Sequence, residues 1–419
     1  MEPGQLSMIS LFTGAGGLDA GLDATGKFNV LAAAEWDSAS CRTLEVNRDA
    51  GRFGTAATRI YEVDLSVMDP HELLSDLGLE PGELDVLVGG PPCQSFSTAG
   101  RRGTVQDPRG QLLWHFLRFV EVLRPKMFLV ENVRGLLSAA LRHRPIADRP
   151  DKGGAPLSAD EQPGSVVRSW VADLLAMNGG EYRVDSFEVN AVNYGAPQLR
   201  ERVLFIGNRM GRTVEFPAPT HGTSDQGLLP FKTLADALSG FAEEAPVMMD
   251  FSPRKKYFLS FVPEGGNWRA MPERVQQESM GRAFYAKGGR SGWWRRLSWD
   301  LPSPTITTLP NHSSTSMCHP SETRVLSVGE CARVQEFPEG WVFVGSAAQQ
   351  MKQVGNAVPA RLGMVAGELI AAHLQAAATE SSPVVELAGW TNTYLRSHVR
   401  TRSWWKNGQA VVRERSLAS

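Results

Sequence analysis

The chain has 419 residues, more than one ordinary core organises, which points to two domains or to one domain with a large insertion. Its composition, 42% apolar and 21% charged, is globular, and it lacks the run of about 20 apolar residues that a membrane span needs. The net charge of −2 excludes a uniformly basic chain, but the middle is mildly basic: Arg209 to Arg324 carries 14 Lys and Arg against 11 Asp and Glu, and the remainder carries 29 against 34. Such a segment suits a nucleic-acid footprint or ordinary solvated surface.

Residues 8–135 alternate strand and helix. "MISLF" reads as a strand, "LDAGLDATG" as a helix ending at Gly26, and "NVLAAAEW" as a second strand. "SASCRTLEVN" reads as a helix with Asp37 or Ser38 as its N-cap. "TRIYEVD", "LDVLVGG" and "KMFLVENV" are three more strands, the last two separated by the helix "GQLLWHFLRFVEVL". This alternation predicts a doubly wound, mostly parallel sheet. Residues 143–165, rich in Pro, Gly, Asp and Ala, read as an inserted mobile loop. Helix and strand patterns resume with "SVVRSWVADLLAM", "YRVDSFEVN" and "RVLFIGNR". From Met210 to about Arg324 the alternation is lost, which suggests a separate small domain. Helical patterns return from Ser327, and a tail of different character follows Thr379.

The first strand runs into "FTGAGGLDAGL". Gly14, Gly16 and Gly17 let the backbone approach a ligand at the strand's C-terminal end, the edge where doubly wound sheets bind ligands. Glu35 ends the second strand, where an acid commonly takes ribose hydroxyls; Trp36 offers a flat face to an adenine; Asp64 could accept from an adenine amino group. Gly17 comes too early for G-x-G-x-x-G, which favours an adenosine-bearing cofactor other than NAD. The plainer alternative is a tight turn beside solvated acids.

Four cysteines, Cys41, Cys93, Cys318 and Cys331, are widely spaced without C-x-x-C, so neither a metal site nor a disulfide framework is expected. The N-terminus lacks a basic region followed by a long apolar core, and a reducing cytoplasm fits. In "GGPPCQSFSTAG" the Pro-Pro pair ends a strand and holds Cys93 on a stiff turn before a Gly- and Ser-rich loop. A thiol there needs activation, its ordinary pKa being about 8.5. On the next strand edge "ENV" supplies Glu131 as an acid/base candidate. Arg200 and Arg202, at i and i+2, would share one face of a strand and suit phosphate or a base carbonyl. The other three cysteines read as buried hydrophobes.

Together these segments resemble the DNA (cytosine-5) methyltransferases of bacterial restriction–modification systems, in family order. "FTGAGGLDAGL" resembles the S-adenosylmethionine (SAM) loop, "AAAEW" the ribose and adenine contacts, "VD" at 63–64 the adenine amino contact, "GGPPCQSFS" the nucleophile loop, and "ENV" the acid motif. "QLRERV", "LSVGECARVQEFPEGW" and "QVGNAVPARLG" resemble the remaining motifs. The match covers about residues 8–208 and 300–375. It implies a Rossmann-like SAM-dependent methyltransferase sheet with an inserted target-recognition domain: residues 1–208 and 325–378 catalytic, 209–324 recognition, 379–419 an extension.

The resemblance further implies that Cys93 adds to C6 of a flipped-out cytosine while Glu131 holds N3, with Arg202 and Arg200 holding the base or its phosphate. Methyl transfer from SAM then gives 5-methylcytosine and S-adenosylhomocysteine. The cofactor would lie against Phe12, Gly14, Gly16, Gly17, Glu35, Trp36, Asp64 and Pro92, closed over by Asn356 and Val358. Duplex DNA is the implied partner, contacted by Gln94, Ser97, Arg101 and Arg102 in the loop and by Arg254, Lys255, Lys256, Arg295 and Arg296 in the recognition segment. Trp293 and Trp294 read equally as core or as DNA contacts. The tail could contact DNA or pack as an extra helix or hairpin. A monomer is expected, with a cognate endonuclease sharing its site without direct contact. The rival readings are the same chemistry on RNA, a Rossmann-type oxidoreductase, and a non-catalytic DNA-binding module.

Overall fold

The computed structural model describes residues 4–92, 108–223, 227–285, 292–379 and 389–395. The first half lays down β1 (Leu6–Leu11), α1 (Gly17–Asp23), β2 (Phe28–Glu35), α2 (Ser38–Asp49), β3 (Arg59–Glu62), α3 (Pro70–Leu77), β4 (Val86–Gly89), α4 (Pro108–Leu123) and β5 (Met127–Val133). Then come α5 (Ser165–Ala176), β6 (Arg183–Asn190) and β7 (Glu201–Asn208). Asp37 caps α2, its side chain accepting from the Ser40 N–H at 3.1 Å.

One eight-stranded sheet forms in the order β10-β6-β7-β5-β4-β1-β2-β3, where β10 is Gly389–Tyr394. Every pairing is parallel except those of β7, which runs antiparallel to both β5 and β6. The cause is the link between β6 and β7. It has no crossover helix, only a short turn through residues 191–200, and a link of that kind returns the chain antiparallel.

The strands read as continuous apolar runs because both faces are covered. Successive side chains enter different cores. Met8, Val86, Val88, Met127 and Leu129 belong to one cluster, while Ile9, Leu11, Leu87, Phe128 and Val130 belong to the other. On the first face α1 packs against α11 (Ala360–Thr379) with almost no side chain between. A Cβ added at Gly21 would lie 1.9 Å from the Ala360 carbonyl oxygen, and one at Gly363 would lie 2.0 Å from that of Leu18. The chain's last long helix therefore comes back to its first.

Between β7 and α9 (Val328–Val334) lie the two-residue strands β8 (His221–Gly222) and β9 (Leu229–Pro230), α6 (Leu234–Leu238), α7 (Pro253–Leu259) and α8 (Glu273–Met280). Phe251, Phe258, Trp268, Met280, Trp294 and Cys318 form part of an apolar cluster of their own, while Leu234 and Leu238 join the main core. Trp294 is core, packed against Phe258 with centroids 5.3 Å apart and the rings tilted by 56°. After α9 comes α10 (Ala347–Asn356). Among the described residues no single helix is long and apolar enough to cross a membrane.

Two segments without a motif have definite structure. The insert after β5 is a chain of short helical turns, not the loose loop its composition suggests. Glu161, buried in the set, accepts from the Arg144 guanidinium at 2.5 Å, from Arg142 at 3.2 Å and from the Ser158 N–H at 2.9 Å. Of the tail, residues 389–395 are described; they supply β10, which pairs in parallel with β6 and extends the sheet, while the stretch 396–406 read as a helix or hairpin lies outside the described residues. Trp390 Nε1 donates to Ser186 Oγ at 3.1 Å, and the Thr391 hydroxyl to the buried Asp185 carboxylate at 2.6 Å.

The Ser158 N–H, then Arg144, hold the Glu161 carboxyl down to about 2. Because the folded pKa is depressed, the stabilisation is present above the ordinary glutamate pKa and is lost as pH falls from there toward 2. Glu161→Gln, which mimics the protonated acid at pH 7, is expected to speed tryptic cutting at Arg142 and Lys152 several-fold. Wild-type protein treated with an acid-active protease should show the same loosening only below about pH 4.

Candidate active site

The C-terminal ends of β1 through β5 open on one edge of the sheet. The register aligns Leu11 with Ala34 and Gly89, Glu35 with Glu62, and Gly89 with Val130. At the end of β1 the chain turns through three left-handed residues, Phe12 (φ 53°), Gly14 (φ 59°) and Gly16 (φ 81°). For Phe12 this conformation is strained, for the glycines it is not. Gly14 borders open space, since an added Cβ would meet nothing within 4 Å. Gly17 does not: its Cβ would lie 2.5 Å from the Val358 carbonyl oxygen. The turn after α10 is thus seated directly on the glycine turn.

The Glu35 carboxylate bridges backbone on both sides, accepting from the Gly14 N–H at 2.8 Å and the Asp37 N–H at 3.0 Å. Burial pushes its pKa up, and those hydrogen bonds pull it part of the way back. Beside it Trp36 is 71% exposed, an unusual display for an indole. Asp64 is exposed as well, with Oδ1 accepting from the Ser66 N–H at 2.9 Å, and that bond leads in holding its pKa low. An open glycine turn, an acid at the second strand's end, an exposed ring and an ionised acid at the third thus lie along one edge of the sheet, the edge at which doubly wound sheets bind ligands.

At the next two strand ends the acid motif meets the root of the nucleophile loop. Asn132 donates from Nδ2 to the Pro91 carbonyl at 3.0 Å in a buried hydrogen bond. A Cβ on Gly90 would lie 3.4 Å from Glu131 Oε2, in van der Waals contact, so this carboxylate lies directly against the Gly90 backbone. Glu131, itself buried, pairs with the Arg202 guanidinium across the β5–β7 ladder, where Arg202 lies opposite Val133. Cys93, Gln94, Ser97, Arg101 and Arg102 lie outside the described residues; Pro92, which leads into them, is half-buried. The other three cysteines are buried. Burial pushes Cys41 up to about 12 and Cys318 to about 11, and Cys331 is raised by the same cause, so these thiols stay protonated.

Three sequence expectations change. Arg200 does not join Arg202, because β7 starts only at Glu201. Its fully buried guanidinium donates to the carbonyls of Ile306 (3.1 Å), Gly355 (3.0 Å) and Asn356 (3.0 Å). Burial, then the nearby Arg202 charge, lowers its pKa. Arg295 and Arg296 face inward rather than toward a ligand. Arg296 donates to the carbonyls of Val262, Leu259, His319 and Glu322, and Arg295 to that of Ser316. Of the basic run in α7, Lys255 donates to the Asn311 carbonyl at 2.7 Å, Lys256 pairs with Asp250, and Arg254 is exposed beside the Phe258 ring. Sequence reasoning also missed Asn132 and Gln198 as positioning residues. Gln198 donates to Gln335 at 2.8 Å and accepts from the Ile306 N–H at 3.0 Å.

The profile of the C-5 cytosine-specific DNA methylase family matches residues 6–148 and 158–371. The chain belongs to that family. Its curated relatives include the Type II methyltransferase M.PspPI of Psychrobacter sp., 36% identical over 388 residues that cover 90% of this chain and 82% of the relative. Another is the Type II methyltransferase M.Eco47II of Escherichia coli, 36% identical over 373 residues covering 87% and 78%. Among solved structures, a putative DNA modification methyltransferase encoded within an E. coli prophage superposes with a TM-score of 0.56 at 23% identity, covering 88% of this chain and 99% of that one. The fold is thus the Rossmann-like methyltransferase fold. With the family come its activity, methyl transfer to C5 of cytosine in DNA, and a donor of the SAM type.

Two substitutions separate the role of Arg200 from that of Asn132. Arg200→Ala leaves three buried carbonyls unpaired and should cost about 3–5 kcal/mol of stability, seen as a lowered thermal midpoint. Asn132→Ala removes the tie to Pro91 together with the local bond that Asn132 Oδ1 accepts from the Val133 N–H. It should lower kcat by at least tenfold while the dissociation constant for S-adenosylhomocysteine stays within about threefold, the signature of a misplaced nucleophile loop.

Proposed function

We propose that this chain transfers the methyl group of SAM to C5 of a flipped-out cytosine within a specific duplex DNA sequence, through a transient bond between Cys93 and C6. The buried tie from Asn132 to Pro91, two residues before Cys93, carries this reading: it fixes the root of the cysteine loop beside the Glu131–Arg202 pair. A cytosine in the stack is out of reach, so the base must leave it. Glu131 then holds the base at N3 and supplies a proton there as the Cys93 thiolate adds to C6, and Arg202 holds Glu131 in place. The cofactor supplies an electrophilic methyl group, which the electron-rich C5 takes up. Loss of the C5 proton to a base or a water and departure of the Cys93 sulfur restore the ring. Phe12, Gly14, Gly16, Glu35, Trp36 and Asp64 would bind the cofactor, Val358 bracing the turn at Gly17.

Residues 1–208 and 325–378 act as the catalytic part and 209–324 as the recognition part, with Arg254 and the 93–107 loop contributing to DNA contact. The tail from 379 is an extension. The relatives named as Type II methyltransferases support a protective role against a cognate endonuclease in the bacterial cytoplasm, with the single chain as the working unit.

Incubation with duplex DNA containing 5-fluorocytosine and SAM is expected to give a denaturation-resistant protein–DNA adduct that Cys93→Ala cannot form. Wild-type protein that binds this DNA without forming the adduct would exclude the covalent route. Labelled SAM offered with DNA and with tRNA should place label in DNA; label in tRNA alone would exclude the DNA reading.

A further inference from the structure

The acid that ends β3 sits at the weakest place in the sheet. β3 is the edge strand, four residues long, with a hydrogen-bonded neighbour on one side only. The turn that follows carries Asp64, whose carboxylate is exposed, and the sheet does not hold it. Within the turn the Asp64 carbonyl accepts from the N–H groups of Val67 (3.1 Å) and Met68 (3.2 Å), and the Asp64 carboxylate from Ser66. That leaves the carbonyls of Leu65, Ser66 and Met68 pointing away from the strand.

All three converge on one side chain. Arg118, on α4, donates from Nη2 to Leu65 O at 2.8 Å and to Met68 O at 2.7 Å, and from Nη1 to Ser66 O at 3.3 Å. A planar guanidinium can satisfy three diverging carbonyls at once, which a lysine ammonium does less well. The arginine is half-buried, so these charge-assisted bonds are partly shielded from water. The turn is therefore gripped from outside the sheet by a helix of the catalytic core.

We infer that Arg118 is a positioning residue for cofactor recognition: by fixing the turn at Leu65–Met68 it aims the Asp64 carboxylate at the exocyclic amino group of the adenine. This rests on the proposed role of Asp64 in SAM binding. Arg118 touches no reacting atom, and its effect is confined to the part of the cofactor that Asp64 reads.

The test compares two ligands that differ at that group, S-adenosylhomocysteine and S-inosylhomocysteine, in which an oxo group replaces the amino group. Each is titrated calorimetrically into wild-type protein, Asp64→Asn, Arg118→Gln and Arg118→Lys. A hydrogen bond to a charged acceptor predicts a preference of roughly tenfold or more for the amino ligand in wild type. Asp64→Asn should abolish it. Arg118→Gln should reduce it to about threefold or less, chiefly by weakening the amino ligand, with Arg118→Lys in between. Arg118→Gln keeping the wild-type preference while Asp64→Asn loses it would overturn the inference alone. So would equal weakening of both ligands, which marks a merely structural residue. Should Arg118→Gln fail to fold, the same criteria apply to Arg118→Lys. Wild-type protein that binds neither ligand, or an Asp64→Asn variant that keeps the preference, would overturn the assigned role of Asp64 and the inference with it.

Discussion

The structure depends on one buried cation. Among the described residues, the hydrogen bonds of Arg200 go to carbonyls and not to a carboxylate. Its guanidinium is spent on main-chain carbonyls of two distant stretches, Ile306 and Gly355–Asn356. Burying a guanidinium among neutral acceptors is costly, and its lowered pKa registers that cost. What offsets it is that carbonyls at the end of a helix and in irregular backbone would otherwise lose their partner. Gln198 and Gln335 finish the set: Gln335 donates to the carbonyls of Val354 and Ala357 while it holds Gln198. Apart from the bond between Gln198 and Gln335, the hydrogen bonds named here run to backbone, so the cluster fixes chain path rather than surface chemistry.

From that clamp the rest follows in order. It holds the end of α10, which sets the position of Val358, and the Val358 carbonyl sits against Gly17. The turn that would embrace a cofactor is thus braced by a segment over 300 residues later in the chain. The backbone contact of α1 with α11 through Gly21 and Gly363 reinforces the same closure. A long insertion between β7 and α9 is tolerated because both of its ends are tied to the core by such contacts. Loop length itself costs little.

Much of this was legible in the sequence, and the failures have a physical pattern. Strands β1 to β7 announced themselves because apolar runs bounded by turn residues have few alternatives. The glycine turn, Glu35, Asp64, Glu131 and Arg202 fall where strand ends deliver them. Charged residues in irregular backbone were misjudged. Arg200, Arg295 and Arg296 look like ligands for an anion, yet they bind carbonyls, and nothing in a one-dimensional pattern says which acceptor a guanidinium will meet. The Glu161 insert was misjudged for the converse reason. Its Pro, Gly and Ala suggested disorder, but a single buried carboxylate gathering two arginines and a serine orders it. Asn132 lay within a recognised motif, but its partner is a carbonyl 41 residues earlier, visible only once β4 and β5 are paired.

The adjacent pair Glu131–Asn132 shows why a strand is the right place for this chemistry. Successive residues on a strand point to opposite sides, so neighbours in sequence can hold different things without competing. Here Glu131 faces Arg202 and the bare backbone of Gly90, while Asn132 turns to the Pro91 carbonyl. β5 is hydrogen-bonded on both sides, to β4 and to β7, which makes it among the least deformable supports in the molecule. An acid on it is preorganised, and an amide on it fixes the root of the cysteine loop relative to that acid. The acid and the loop's root thereby keep their separation. Placing the acid and the anchor on separate strands would have let that separation vary with every shift in the sheet.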